Sequence, residues 1–148
     1  MTSWIVIDSS VLIASLVEET YSTQARAIFH WAAAHRVSVA APALLIYESV
    51  STVRKLVHRT ALTSSEGIEL IELILSRPIH LVFEPSLSRR AFELAEMLGL
   101  AATYDAQYLA VAEYLASPFW TLDQKLFRSV GEQFSWIKDA TTFEVQLN

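Results

Sequence analysis

Apolar residues follow two rhythms along this chain. A solid apolar run at residues 4–7 reads as a buried strand, and short apolar-rich segments at 37–40, 79–83, 119–122 and 134–137, each broken by one polar residue, read as further strands. Between them, apolar positions return every three or four residues, the helical period. This predicts helices over 11–17, over 22–34 with Ala25, Ile28, Phe29 and Ala32 on one face, and over 44–59 with Ile46, Val50, Val53 and Val57 as its core stripe. A further helix opens at Ser64 or Ser65 and stops before Pro78, because the residue preceding a proline disfavours helical geometry. Another opens at Ser86, turns Phe92, Ala95 and Leu98 inward and ends at Gly99, a residue suited to the left-handed turn after a helix. Helices over 104–115 and 123–130 complete the set. Asp8 and Ser22 stand where the first two helices need capping acceptors. The last residues (Phe143, Val145, Leu147) alternate over too short a span to assign.

Strands alternating with helices imply an α/β fold, a mostly parallel central sheet flanked by helices. Repeats, low-complexity stretches and linkers are missing, so one domain over 1–148 is expected. More than half of the residues are apolar, enough for a well-buried sheet. Cysteine is absent, which excludes disulfides and thiolate metal sites. The start of the chain has no basic segment followed by an apolar one, and no apolar run reaches the roughly 20 residues of a membrane span. A cytoplasmic protein without membrane attachment is the expectation.

The formal charge of −5 argues against a generic basic nucleic-acid binder. Two features temper this. Basic residues cluster at Arg54, Lys55, His58 and Arg59, at Arg89 and Arg90, and at Lys125 and Arg128. Several acids also stand where ligands bind in parallel sheets, beyond the carboxyl ends of strands. Asp8 directly follows the first strand and Asp123 directly follows the run 119–122. Asp105 opens a helix in phase with apolar Tyr108, Leu109 and Ala112, and Glu48 lies early in its helix, off the apolar stripe, among small neighbours. Each acid also has an ordinary explanation, a helix cap or an exposed helix position. Together they differ: a like-charge pair about 4 Å apart costs roughly 4 kcal/mol at an effective dielectric near 20. Such a cluster persists only with cations or protons to neutralise it. Magnesium, hard and oxygen-liganded, is the matching ion, with manganese as a substitute. The four histidines show no HxxxH spacing, which disfavours zinc.

Three segments resemble one family. Ile5-Val6-Ile7-Asp8-Ser9-Ser10-Val11-Leu12, the stretch from Thr103 through Tyr104 and Asp105 to Ala112, and Trp120-Thr121-Leu122-Asp123-Gln124-Lys125-Leu126 resemble the acidic motifs of PIN domains, and within them of the VapC-type toxins of toxin–antitoxin pairs. Glu48 falls where that family places its second acid. The resemblance implies a three-layer fold with the first strand near the middle of the sheet and the acids at its carboxyl edge. It implies a Mg2+-dependent endoribonuclease, a homodimer packed through helices, and a small antitoxin whose C-terminal segment crosses the acidic groove. Gln124 departs from the basic residue common after this Asp in toxin members; Lys125 is the replacement.

On this reading Asp8, Asp105 and Asp123 ligate magnesium directly or through water, and Glu48 completes the site or orients the attacking water. Ser10 and Thr121 hold carboxylates by hydrogen bonds, while Arg54, Lys55 and Lys125 meet RNA phosphates. Cleavage leaves a 5′-phosphate and a 3′-hydroxyl with no side-chain nucleophile. No P-loop or G-x-S-x-G element is present. The competing readings are a catalytically inactive PIN-fold module that binds RNA or protein, and a processing nuclease that is not a toxin. A phosphatase of the haloacid-dehalogenase type also opens with strand-Asp, but needs a second Asp at the position of Ser10.

Overall fold

The computed structural model describes residues 3–144. Its elements, in order, are β1 (Trp4–Ile7), α1 (Ser9–Leu16), α2 (Ser22–Ala34), β2 (Ser38–Pro42), α3 (Leu44–His58), α4 (Ser64–Ser76), β3 (Ile79–Val82), α5 (Leu87–Met97), α6 (Tyr104–Tyr114), β4 (Phe119–Thr121), α7 (Gln124–Val130) and β5 (Ile137–Asp139), then a short 3-10 turn, Ala140–Thr142. Val145 and Leu147 of the alternating tail lie outside the described residues. No helix among these residues is long and apolar enough to cross a membrane.

The five strands form one sheet in the order β3-β2-β1-β4-β5, with every pairing parallel. The expected α/β architecture is therefore present, with a sheet parallel throughout. Central β1 has Ile5, Val6 and Ile7 essentially inaccessible to solvent, which explains why its sequence is solid rather than alternating. The connections β1 to β2 and β2 to β3 step one way across the sheet, and β3 to β4 and β4 to β5 step the other way. Because such crossovers are right-handed, the two directions place their helices on opposite faces. Helix α6 packs against β1, β2 and β4 and carries α5 on its outer side. The strand order reverses between β1 and β4. This is the switch point, where diverging connections leave a crevice above the carboxyl edge.

Several local expectations shift. Strand β2 runs on to Pro42, two residues beyond the expected end; β1 pairs only with residues 38–40, so the missing N–H of Pro42 interrupts no bond to it. Strand β5 starts at Ile137, and not at residue 134, because Phe119 aligns with Ile137. Phe134 and Trp136 stack on each other at 5.0 Å in the preceding turn. In α5 the inward residues are Ala91, Leu94 and Ala95. Phe92 is exposed, one position out of the expected phase, since small alanines let α5 lie close on α6. Helix α4 opens at Ser64 as expected, and Thr63 before it supplies the cap, its hydroxyl accepting the Glu66 N–H at 3.1 Å. Ser22 does not cap α2 as expected; it is the first helical residue, and its hydroxyl donates to the Val17 carbonyl. Gly99 closes α5 with φ +67°, as its sequence position suggests.

Helix α3 matters most for the site. Its fully buried line is Leu45, Ser49 and Val53. Ile46, Val50 and Val57 of the expected stripe are half-buried on one flank, where Val57 faces Gly67 of α4. Glu48 occupies the opposite flank, half-buried instead of solvated.

Candidate active site

The end of β1 and the end of β4 meet at the switch point. Val6 aligns with Phe119 and Ile7 with Trp120, so the next residues, Asp8 and Thr121, stand opposite each other. Asp8 is 7% exposed. Its Oδ1 accepts the backbone N–H groups of Ser10 at 3.1 Å and Val11 at 3.4 Å, capping α1. The same oxygen takes the Ser10 hydroxyl at 2.5 Å, and Oδ2 takes the Thr121 hydroxyl at 2.5 Å. Each hydroxyl in turn accepts a backbone N–H at 3.0 Å: Ser10 Oγ from Leu122, across the crevice, and Thr121 Oγ1 from Asp123 on its own side. Because the amides are donors, both hydroxyl protons must point at Asp8. Cap and site position are thus one arrangement: Asp8 starts α1 and is locked in a single orientation between two strand ends.

Thr121, expected near Asp123, serves Asp8 through its side chain. Asp123 caps α7, its Oδ1 accepting the Leu126 N–H at 3.0 Å, and remains exposed toward the crevice. Asp105 lies in the first turn of α6, whose cap position is Thr103. Glu48 reaches from α3 to accept the Tyr108 hydroxyl at 2.5 Å. Sequence reading treated Tyr108 only as a core residue, and by burial it is one, at 1% exposure. Its phenol nevertheless joins the acid cluster. The available signal was chemical: a buried tyrosine needs a partner for its hydroxyl, and three residues before it stands Asp105.

The acids feel one another. Burial pushes the Asp8 carboxyl up to about 6, partly opposed by its hydroxyl and amide donors, with the Asp123 charge adding to the rise. Asp105 is also raised, by burial first and then by the charges of Asp123 and Glu48. The Tyr108 phenol is pushed far up by burial, by its bond to Glu48 and by the charges of Glu48, Asp8 and Asp105. The four expected acids therefore occupy one region at the carboxyl edge, brought there by β1, α3, α6 and β4. None of the ion pairs among the described residues involves any of the four.

This donor set fits a hard divalent cation: uncompensated carboxylates and hydroxyls, with no thiolate and no imidazole. As the side chains stand, no three carboxylates or imidazoles among the described residues are close enough to grip one ion together. A bound ion would then rest on fewer direct ligands with water completing its shell, the habit of magnesium. Beside Asp123 the crevice opens into a cavity of about 700 Å³ lined by Ser9, Ser10, Glu19, Thr52 and Leu122 among others.

The basic candidates lie outside the cluster. Arg54 and Lys55 are exposed on the second half of α3, and Lys125 is exposed in the first turn of α7. Gln124 is engaged structurally, its amide donating to Asp139 at 2.9 Å. Asp139, a further acid at the carboxyl edge, is occupied by that amide and by Thr141.

Comparison with known proteins agrees with this architecture. The chain superposes on the crystal structure of PAE2754 from Pyrobaculum aerophilum with a TM-score of 0.68 at 22% identity, over 96% of this chain and 94% of that one. No curated protein matches the sequence at a significant level. The family model described as "PIN domain" matches residues 6–145. With a switch-point crevice lined by acids and a family match over nearly its whole length, the chain belongs to the PIN domain family, whose members are generally nucleases.

Proposed function

We propose that this protein is a Mg2+-dependent endoribonuclease, with Mn2+ as a substitute ion, and that it acts as the toxin of a toxin–antitoxin pair. The observation that carries the nuclease reading is the acid cluster. Asp8 is buried without a cationic partner, is held by two hydroxyls and feels the Asp123 charge, while Asp105 feels Asp123 and Glu48. Holding such charges together has no structural benefit that neutral residues would not supply better. It serves a protein that binds a cation there. Asp8, Asp105 and Asp123 would hold the ion, directly or through water. When bound, it stabilises negative charge developing on a phosphate in an in-line displacement.

The chain's own groups do the positioning. Ser10 and Thr121 fix the Asp8 rotamer, and Tyr108 holds one oxygen of Glu48 and leaves the other free to accept a proton from an attacking water. Water adds to phosphorus, the bond from phosphorus to the 3′ oxygen breaks, and that oxygen takes up a proton. The products are a 5′-phosphate and a 3′-hydroxyl. The toxin role, the homodimer and an antitoxin covering the acidic crevice are supported by the resemblance of the acidic motifs to VapC-type toxins.

The test is cleavage of an end-labelled single-stranded RNA by purified protein. Cutting should require Mg2+ or Mn2+, stop with chelator, and fall at least a thousandfold in folded Asp105→Asn. A folded Asp105→Asn protein cutting at the wild-type rate would defeat the assignment. Growth arrest on expression, abolished by Asp8→Asn, would separate a toxin from a processing nuclease.

A further inference from the structure

The acid crevice has a neighbour on the same edge of the sheet. Over the ends of β2 and β3 lies a groove of about 390 Å³, walled by Tyr47 on α3, Phe83 and Glu84 after β3, and Tyr104 and Gln107 on α6. The three rings are 72%, 82% and 63% exposed. Contiguous exposed aromatics mark a surface that something covers. Tyr47 directly precedes Glu48, and Tyr104 directly precedes Asp105. Consecutive residues on a helix diverge by about 100°. Helices α3 and α6 therefore each present a carboxylate to the crevice and a ring to the groove, and the Tyr108–Glu48 hydrogen bond ties the two helices together between them. Along α3 the exposed side continues from Tyr47 through Ser51 to Arg54 and Lys55.

We propose that this groove is a base-stacking subsite: an unpaired base of the RNA being cut lies against Tyr47, Tyr104 and Phe83, and the adjoining backbone runs toward Arg54 and Lys55. The inference rests on the nuclease reading and narrows its substrate to single-stranded or looped RNA. Three observations favour a base over an aliphatic partner. The rings are accompanied by amide, hydroxyl and carboxylate groups (Gln107, Thr103, Glu84) that can pair with base edges. The same face of α3 carries positive charge for phosphates. The crevice over β1 and β4 and the groove over β2 and β3 lie two strand spacings apart, roughly 10 Å, so one strand can reach both. Paired bases in a duplex have no free face to offer.

The experiment measures affinity for a short single-stranded RNA containing 2-aminopurine, in the presence of Mg2+, using the cleavage-silenced Asp105→Asn protein. Tyr47→Ala and Tyr104→Ala should each weaken binding about fivefold or more and relieve the fluorescence quenching caused by stacking. Tyr47→Phe and Tyr104→Phe should bind like the parent. Since all these rings are exposed, the variants should keep the parent's melting temperature. Alanine variants that bind and quench like the parent, while unsubstituted protein cleaves RNA, overturn the subsite alone. Unsubstituted protein that neither cleaves RNA nor binds it overturns the nuclease reading with it. Alanine variants of unchanged affinity that shift from dimer to monomer in light scattering assign the groove to a second copy of the chain and overturn the proposal.

Discussion

Asp8 shows how far a single residue can be read. Its place after a solid apolar run marked it as a strand-end acid, and the structure puts it there. What the run could not show is the pair of hydroxyls that hold it, one from two residues away and one from 113 residues away. Burial without a cation gives Asp8 a pH signature. Its folded pKa of about 6 lies above the unfolded value near 3.8, so the folded state binds the proton more tightly. The protonated form contributes fully below pH 4, and that contribution is lost as pH rises through 6. The difference is about 3 kcal/mol. In chelator, thermal melting should show stability falling between pH 4 and 6, and Mg2+ should restore stability at pH 7 but not at pH 4. A melting temperature that rises across that window in chelator, with no component removed by Asp8→Asn, would contradict this. Thr121 carries the second test. Thr121→Val keeps the buried shape but removes the donor to Asp8 and the acceptor for the Asp123 N–H. Urea unfolding should show a loss of about 2 kcal/mol; a loss under about 0.5 kcal/mol would mean the hydroxyl is not needed. Tyr108 marks the limit at this scale: helical periodicity counts it as core, and only the fold reveals that its hydroxyl ends on Glu48.

At the scale of elements, strands and helices were legible because short apolar-rich segments differ from the longer stretches of three- and four-residue period. Phase was less legible. In α3 the apolar stripe Ile46, Val50, Val53 and Val57 is real, but it is one flank of a wider buried face centred on Ser49, a position whose side chain gives no apolar signal. That offset is what brings Glu48 inward. Phe92 misled for the opposite reason, since a large ring on α5 outweighs the alanines that actually pack. The flank of α3 yields a prediction of its own. A Cβ placed on Gly67 of α4 would lie 2.7 Å from Val57 Cγ2, and valine is stiff about χ1. Gly67→Ala should therefore destabilise by about 1 to 2 kcal/mol despite alanine's better helix propensity. Adding Val57→Ala should recover most of the clash, giving a favourable coupling in a double-mutant cycle measured by urea unfolding. Additive losses would show that the helices already have room.

For the whole molecule, alternation of strand and helix leads to a parallel sheet but not to the order of its strands. That order decides which strand ends face each other, and it depends on the hand and direction of each crossover, which no local pattern encodes. The resemblance to PIN domains supplied the expectation of a first strand near the middle, and β3-β2-β1-β4-β5 has it there. Asp8 and Asp123 were legible as edge acids, whereas the approach of Asp105 and Glu48 required the packing of α6 and α3 around the switch point. On the proposed reading the net charge of −5 does not exclude an RNA substrate, because a cation held by the crevice acids would offset part of it locally. The most direct measurement is anomalous diffraction from a crystal soaked in manganese. The account predicts a peak in the crevice among Asp8, Asp105 and Asp123, lost in Asp105→Asn crystals. Manganese bound elsewhere, with the crevice empty and the acids unmoved, would contradict it.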